Sequence, residues 1–193
     1  MVEPQTAAEL ARLLGDVLER HGLPYAIGGA IALGFYAPPR ATMDVDVNVF
    51  VPPQTDLARL LDTLSAAGFV PADDAASLRT QACTEGQFQG AIAGMRVDVF
   101  VPAIPFYAQL EARRQQVPLL GRPIWIVGAE DLVVLKLMFF RRKDLADVEA
   151  VLREQATSLD RAYIRQTLVE LAGPADERVA ALETIERELD LAE

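Results

Sequence analysis

Histidine and cysteine are almost missing from this sequence: its 193 residues include one of each, His21 and Cys83. A single cysteine excludes an internal disulfide framework. The two together are too few to assemble a zinc site from His and Cys ligands. A Ser–His or Cys–His nucleophilic triad would have to recruit His21 itself, and no Gly-x-Ser-x-Gly elbow is present. His21 precedes Gly22 at the expected end of the first helix, where a hydrogen-bonding or cationic group ordinarily serves the helix C-terminus. Walker A and Gly-x-Gly-x-x-Gly loops are also absent. No apolar run reaches the ~18–20 residues of a membrane-spanning helix; the longest, residues 132–140, is interrupted by Lys136. After Met1 come Pro4 and an amphipathic stretch, without the basic and apolar regions of a signal peptide. The expectation is a cytoplasmic protein with no membrane partner.

Positive charge is scarce as well. Eighteen Lys and Arg face 28 Asp and Glu, for a net charge of −10. That balance argues against a broad, sequence-independent grip on nucleic acid, which rests on cations neutralising phosphates; a local basic site stays open. What remains as a source of chemistry is the carboxylates, together with a metal ion. Apolar residues make up 51% of the chain, enough for a real core, and the length fits one domain or a core with an extension.

Hydrophobic spacing predicts a helix over residues 7–20, stopped by Gly22 and Pro24, then a short strand over 25–27 ending at Gly28-Gly29. A short helix is expected over 30–36, closed by Pro38-Pro39. Residues 44–51 alternate strictly and form the clearest strand. A helix follows over 57–67, and residues 69–92 carry only weak strand signals. A second alternating strand spans 96–101, a helix-compatible stretch 106–114, and a further strand 123–127. Beyond Gly128 only helical periods occur, over 131–140, 145–153, 161–171 and 176–191. The fold class expected is therefore α+β: a small mixed sheet flanked by helices, with a C-terminal helical extension.

In Asp44-Val45-Asp46-Val47-Asn48-Val49, alternation puts the valines on one face and Asp44, Asp46 and Asn48 on the other. The two carboxylates stand roughly 6–7 Å apart at their Cα atoms and can converge on one ion. A solvated polar face is the alternative, but Asp is disfavoured in strands, and like charges on one face call for a cation between them. Mg²⁺ suits all-oxygen ligands. Arg96-Val97-Asp98-Val99 repeats the pattern. If this strand pairs beside the first, Asp98 supplies a third carboxylate; taken alone, Asp98 is equally compatible with a salt bridge to a nearby cation. The Gly28-Gly29 turn between a strand and a helix is either a tight turn or a place of close backbone approach to phosphate.

Taken together, Ile27-Gly28-Gly29-Ala30, the spacer ending Pro39-Arg40-Ala41-Thr42-Met43, and Asp44-Val45-Asp46 resemble the DNA-polymerase-β-like nucleotidyltransferase superfamily. The Pro-Arg-x-Thr-x-Asp-x-Asp segment looks like its bacterial AbiEii-type branch of abortive-infection and toxin–antitoxin nucleotidyltransferases. The later run Glu130-Asp131-Leu132, Lys136-Leu137 and Arg142-Lys143-Asp144-Leu145-Ala146-Asp147 looks like that branch's helix pair. The resemblance implies a nucleotidyltransferase core over 1–128, with residues 129–193 as a helical region packed on it. Asp44, Asp46 and Asp98 would be catalytic and would hold Mg²⁺. Gly28, Gly29, Ala30, Arg40, Thr42, Lys136 and Asp147 would bind the NTP co-substrate. Many members carry Ser where this chain has Ala30, so one phosphate-binding hydroxyl is missing. The acceptor would be a hydroxyl on RNA, on protein or on a small molecule. The first expectation is the toxin of a toxin–antitoxin or phage-defence pair acting on RNA, with a cognate antitoxin as a further partner, and the alternative is a modifier of small molecules of the aminoglycoside type. A non-catalytic nucleotide-binding module is the rival class, although all three Asp are present.

Overall fold

Residues 3–191 are described by a computed structural model. Strand β2 (Asp44–Val49) sits at the middle of the sheet, with Val45, Val47 and Val49 fully buried. It pairs antiparallel with β1 (Tyr25–Ile27) and parallel with β5 (Met95–Phe100). Outward from β5 lie β4 (Gln87–Ile92) and the two-residue β3 (Val70–Pro71). Outward from β1 lie β7 (Arg122–Ile126) and β6 (Gln115–Leu119), giving the order β3-β4-β5-β2-β1-β7-β6 among the described residues. The pairings of β1 with β7 and of β2 with β5 are parallel and the rest antiparallel, so the sheet is mixed as expected.

Helix α1 (Ala7–Arg20) begins at a capping box: Thr6 accepts from the Glu9 amide while the Glu9 carboxylate accepts from the Thr6 amide. Its apolar stripe, including Leu10, Leu14, Val17 and Leu18, packs on β1, β2 and β7 and on α3 (Pro53–Ala66). His21 caps the far end, its Nδ1–H donating to Val17 O at 2.8 Å. Helix α2 (Gly29–Leu33) is shorter than the expected 30–36.

Two stretches differ from the sequence expectation. Residues 69–92 resolve into β3, a short α4 (Ala75–Thr80) capped by the Asp74 carboxylate, a π-helical turn (Gln81–Glu85) and β4. β6 was not expected; it is an edge strand that tolerates Pro118 because its outer side needs no ladder partner.

The chain divides into two units: residues 1–32 with 40–127, and residues 33–39 with 128–193. In the second, α6 (Ala129–Phe139) packs against α7 (Arg142–Glu154), α8 (Arg161–Ala172) and α9 (Glu177–Glu188). The segment 33–39 is tied to this unit by Gln155 Nε2, which donates to Tyr36 O at 2.9 Å. Tyr163 on α8 donates to the fully buried Asp131 on α6 at 2.6 Å. Among the described residues no helix is long and apolar enough to cross a membrane.

Candidate active site

The parallel register of β2 and β5 sets the site. Asp46 stands beside Asp98 and Asp44 beside Arg96, so the alternating valines point to one face and these four polar side chains to the other. Asp98 is buried and Asp44 and Asp46 are half-buried. Asn48, next along β2, is buried and serves the sheet by donating to Ala26 O at 3.3 Å.

Gly28 and Gly29 border the same carboxylates. The Gly28 amide donates to Asp46 O at 2.8 Å, extending the β1–β2 ladder by one bond. Gly29 has φ +54, and a Cβ there would lie 2.6 Å from Asp46 Cγ. The glycine is therefore required twice, once for the left-handed backbone and once for the space. Ala30 follows, buried, in the first turn of α2.

Each carboxylate has an internal donor or a close neighbour. Arg96 gives two hydrogen bonds to Asp98 Oδ1, from Nε at 3.1 Å and Nη2 at 2.8 Å. That hydrogen bond, with the charges of Asp98, Asp44 and Asp46, raises the Arg96 pKa, so all three carboxylates act on one guanidinium. The Thr42 hydroxyl donates to Asp44 Oδ1. Arg40 lies exposed on the stretch leading into β2. In this arrangement no three His, Cys, Asp or Glu side chains converge as metal ligands among the described residues. The chemistry of the side chains nonetheless suits a hard divalent cation, since Asp44, Asp46 and Asp98 offer only carboxylate oxygens. The sequence pattern showed Arg96 and Asp98 on one face but did not assign Arg96 to the site.

Lys136 and Asp147 meet each other in the helical unit. Lys136 Nζ donates to Asp147 Oδ2 at 2.7 Å and to Asp144 Oδ1 at 3.3 Å, all three side chains being buried. Asp144 also accepts from Arg141, at Nε 2.5 Å and at its backbone amide 3.3 Å, which caps α7. Arg141 in turn lies over the Phe139 ring at 5.0 Å. Burial opposes ionisation of Asp144, but the hydrogen bond from Arg141 and the charges of Lys136 and Arg141 hold its pKa below the usual carboxylate value.

No protein-family model matches the chain, and no curated protein matches it by sequence. Solved structures do. The antibiotic-resistance factor ANT(2'')-Ia, in a solution structure, aligns over 94% of this chain and 97% of its own, with a TM-score of 0.60 and 15% identity. An antigenic nucleotidyltransferase-like protein from Paracoccidioides brasiliensis aligns over 93% and 94%, with a TM-score of 0.55 and 16% identity. The lincosamide antibiotic adenylyltransferase LnuA, bound to lincomycin, aligns over 74% and 94%, with a TM-score of 0.50 and 13% identity. The chain has the nucleotidyltransferase fold.

Proposed function

We propose that this protein transfers a nucleoside monophosphate from an NTP to a hydroxyl group on a small, cationic acceptor. The observation that carries the reading is the in-register pair Asp46 and Asp98 on adjacent parallel strands, with Gly29 stripped of a side chain against Asp46. Asp44, Asp46 and Asp98 would hold Mg²⁺, which when bound would neutralise triphosphate charge and polarise the α-phosphate. The acceptor hydroxyl oxygen forms the new bond to the α-phosphorus, and the bond to the departing pyrophosphate breaks. The hydroxyl proton passes to the Asp98 carboxylate. Both Arg96 donors fall on Oδ1, so Oδ2 is the oxygen assigned to that proton. The Gly28 amide is committed to Asp46 O, so backbone recognition of phosphate falls to Gly29 and Ala30. Thr42 fixes the Asp44 carboxylate, and Arg40, exposed just before β2, is assigned to the triphosphate or the acceptor.

Two features favour a small cationic acceptor over RNA. The net charge is −10, and of the local cations Lys136, Arg141, Arg142 and Lys143, two, Lys136 and Arg141, are occupied by Asp144 and Asp147. Nucleotidyltransferases of this fold include one solved in complex with adenylyl-2''-tobramycin. The test is transfer of label from each α-labelled NTP to a panel of aminoglycosides and lincosamides, to total RNA and to protein, with pyrophosphate measured in parallel. The expected result is a labelled small molecule with one pyrophosphate per transfer, lost in Asp46→Asn. Labelled RNA would instead support a toxin, with an antitoxin to be sought. NTP binding with no transfer to any acceptor would leave a non-catalytic nucleotide-binding module.

A further inference from the structure

We infer that Arg96 is a resident counter-ion of the acidic site and competes with an incoming divalent cation for Asp98, which lowers the metal affinity of the nucleotide-free protein. The inference rests on the nucleotidyl-transfer reading and adds to it a positioning residue that controls metal loading.

Arg96 shares the sheet face of Asp44, Asp46 and Asp98. It is the cross-strand neighbour of Asp44, and it donates twice to Asp98 Oδ1. A guanidinium has no acceptor and does not lose its proton in proteins, so it can leave the site only by moving. Its position allows that. The Arg96 side chain is 57% exposed and that of Asp98 10%, so the cation lies on the solvent side of the carboxylate and can swing into water without opening the core. While it stays, Asp98 Oδ1 is filled by two N–H donors, and a cation binding there must displace them. Thr42 holds Asp44 in a comparable way, but a hydroxyl can rotate and turn a lone pair to the new ion, whereas Arg96 brings a repelling charge. Arg96 is thus the one of the two whose removal should strengthen metal binding.

The experiment is titration of the purified full chain with Mn²⁺, without nucleotide, followed by the electron paramagnetic resonance of the free ion. Wild type, Arg96→Ala, Arg96→Lys, Asp46→Asn, Asp98→Asn and the double variant Arg96→Ala/Asp98→Asn are compared. Arg96→Ala should bind Mn²⁺ about two- to fivefold more tightly, the scale expected of one more-than-half-exposed charge. Arg96→Lys should fall between it and wild type, because an ammonium keeps the charge but not the two-pronged grip. In an Asp98→Asn background the Arg96→Ala gain should vanish. Melting temperature with chelator should drop in Arg96→Ala and be restored by Mn²⁺. An Arg96→Ala affinity equal to or weaker than wild type, with Mn²⁺ binding still dependent on Asp46, overturns the inference alone. Binding that Asp46→Asn leaves untouched, or no binding in any variant, overturns both the metal site and the inference. Should Arg96→Ala not fold, the Arg96→Lys affinity decides: unchanged or weaker than wild type, it overturns the competition.

Discussion

Gly29 and Asp46 share one space: the position a Cβ would take on Gly29 lies 2.6 Å from Asp46 Cγ and 3.1 Å from its Cβ. Asp46 is fixed on β2 by the ladder, so a side chain at 29 must push either its own backbone or the carboxylate. Gly29→Ala adds a second cost, because φ +54 is the left-handed region, worth about 1–2 kcal/mol for a residue with a Cβ. The variant should unfold at a lower temperature, by an amount matching about 1–3 kcal/mol. Transfer activity should fall further than this loss explains at a temperature where the variant is still folded. Normal activity from a folded Gly29→Ala protein would show that the Asp46 carboxylate can move freely and that the close approach has no role.

Asp98→Asn removes both roles proposed for this carboxylate. The amide keeps the size of the side chain but can no longer take the hydroxyl proton or carry charge for the metal. Turnover should fall about 10²–10⁴-fold, the range of general-base removal, with the thermal midpoint near that of wild type. Undiminished turnover would place the base elsewhere.

The two alternating strands were legible because nothing interrupts their period: Val45, Val47 and Val49, then Val97 and Val99, all lie fully buried. Their pairing was conditional in the sequence, and the register of Asp46 with Asp98 is a long-range fact that local spacing does not encode. β4 was obscure for a physical reason. Its buried positions are Phe88, Gly90 and Ile92, and the middle one has no side chain because the Phe69 ring fills the space where a Cβ would stand. The apolar period therefore has a gap that a residue from another segment closes. β6 hides behind two glutamines and Pro118 on the sheet edge. The association of residues 33–39 with the helical unit likewise leaves no trace in the local sequence. Arg96 was visible two residues from Asp98, and only the structure shows that it answers three carboxylates.

Asp144 should make the helical unit sensitive to acid. Burial works against its charge, but the hydrogen bond from Arg141 and the nearby Lys136 and Arg141 charges bring its folded pKa below the unfolded value of about 4. A depressed carboxylate contributes stability that is fully present above the unfolded pKa and disappears as pH falls through the folded one. Wild type should therefore exceed Asp144→Asn in denaturant midpoint by a constant margin from neutrality to about pH 5, and that margin should shrink below pH 4. A margin independent of pH would mean that the hydrogen bonds, not the charge, hold this corner together.

Lys136 separates structure from nucleotide binding most directly. Its ammonium is shared by Asp144 and Asp147, and the three side chains are 7%, 0% and 7% exposed. Removing the cation leaves two buried carboxylates, one of them still supported by Arg141 and the other without its bond from Lys136. Breaking a buried pair from one side costs about 3–5 kcal/mol, most of it the unpaired charge. Lys136→Met should approach that loss, and adding Asp147→Asn should recover part of it by removing the stranded charge. The phosphate role implied by the resemblance makes a different demand. A lysine has three N–H donors, and two go to the aspartates, so one is left for a phosphate. If that donor is used, the stability-restored Lys136→Met/Asp147→Asn protein should still bind NTP more weakly than Asp147→Asn alone. Equal affinity in the two proteins would confine Lys136 to holding α6 and α7 together.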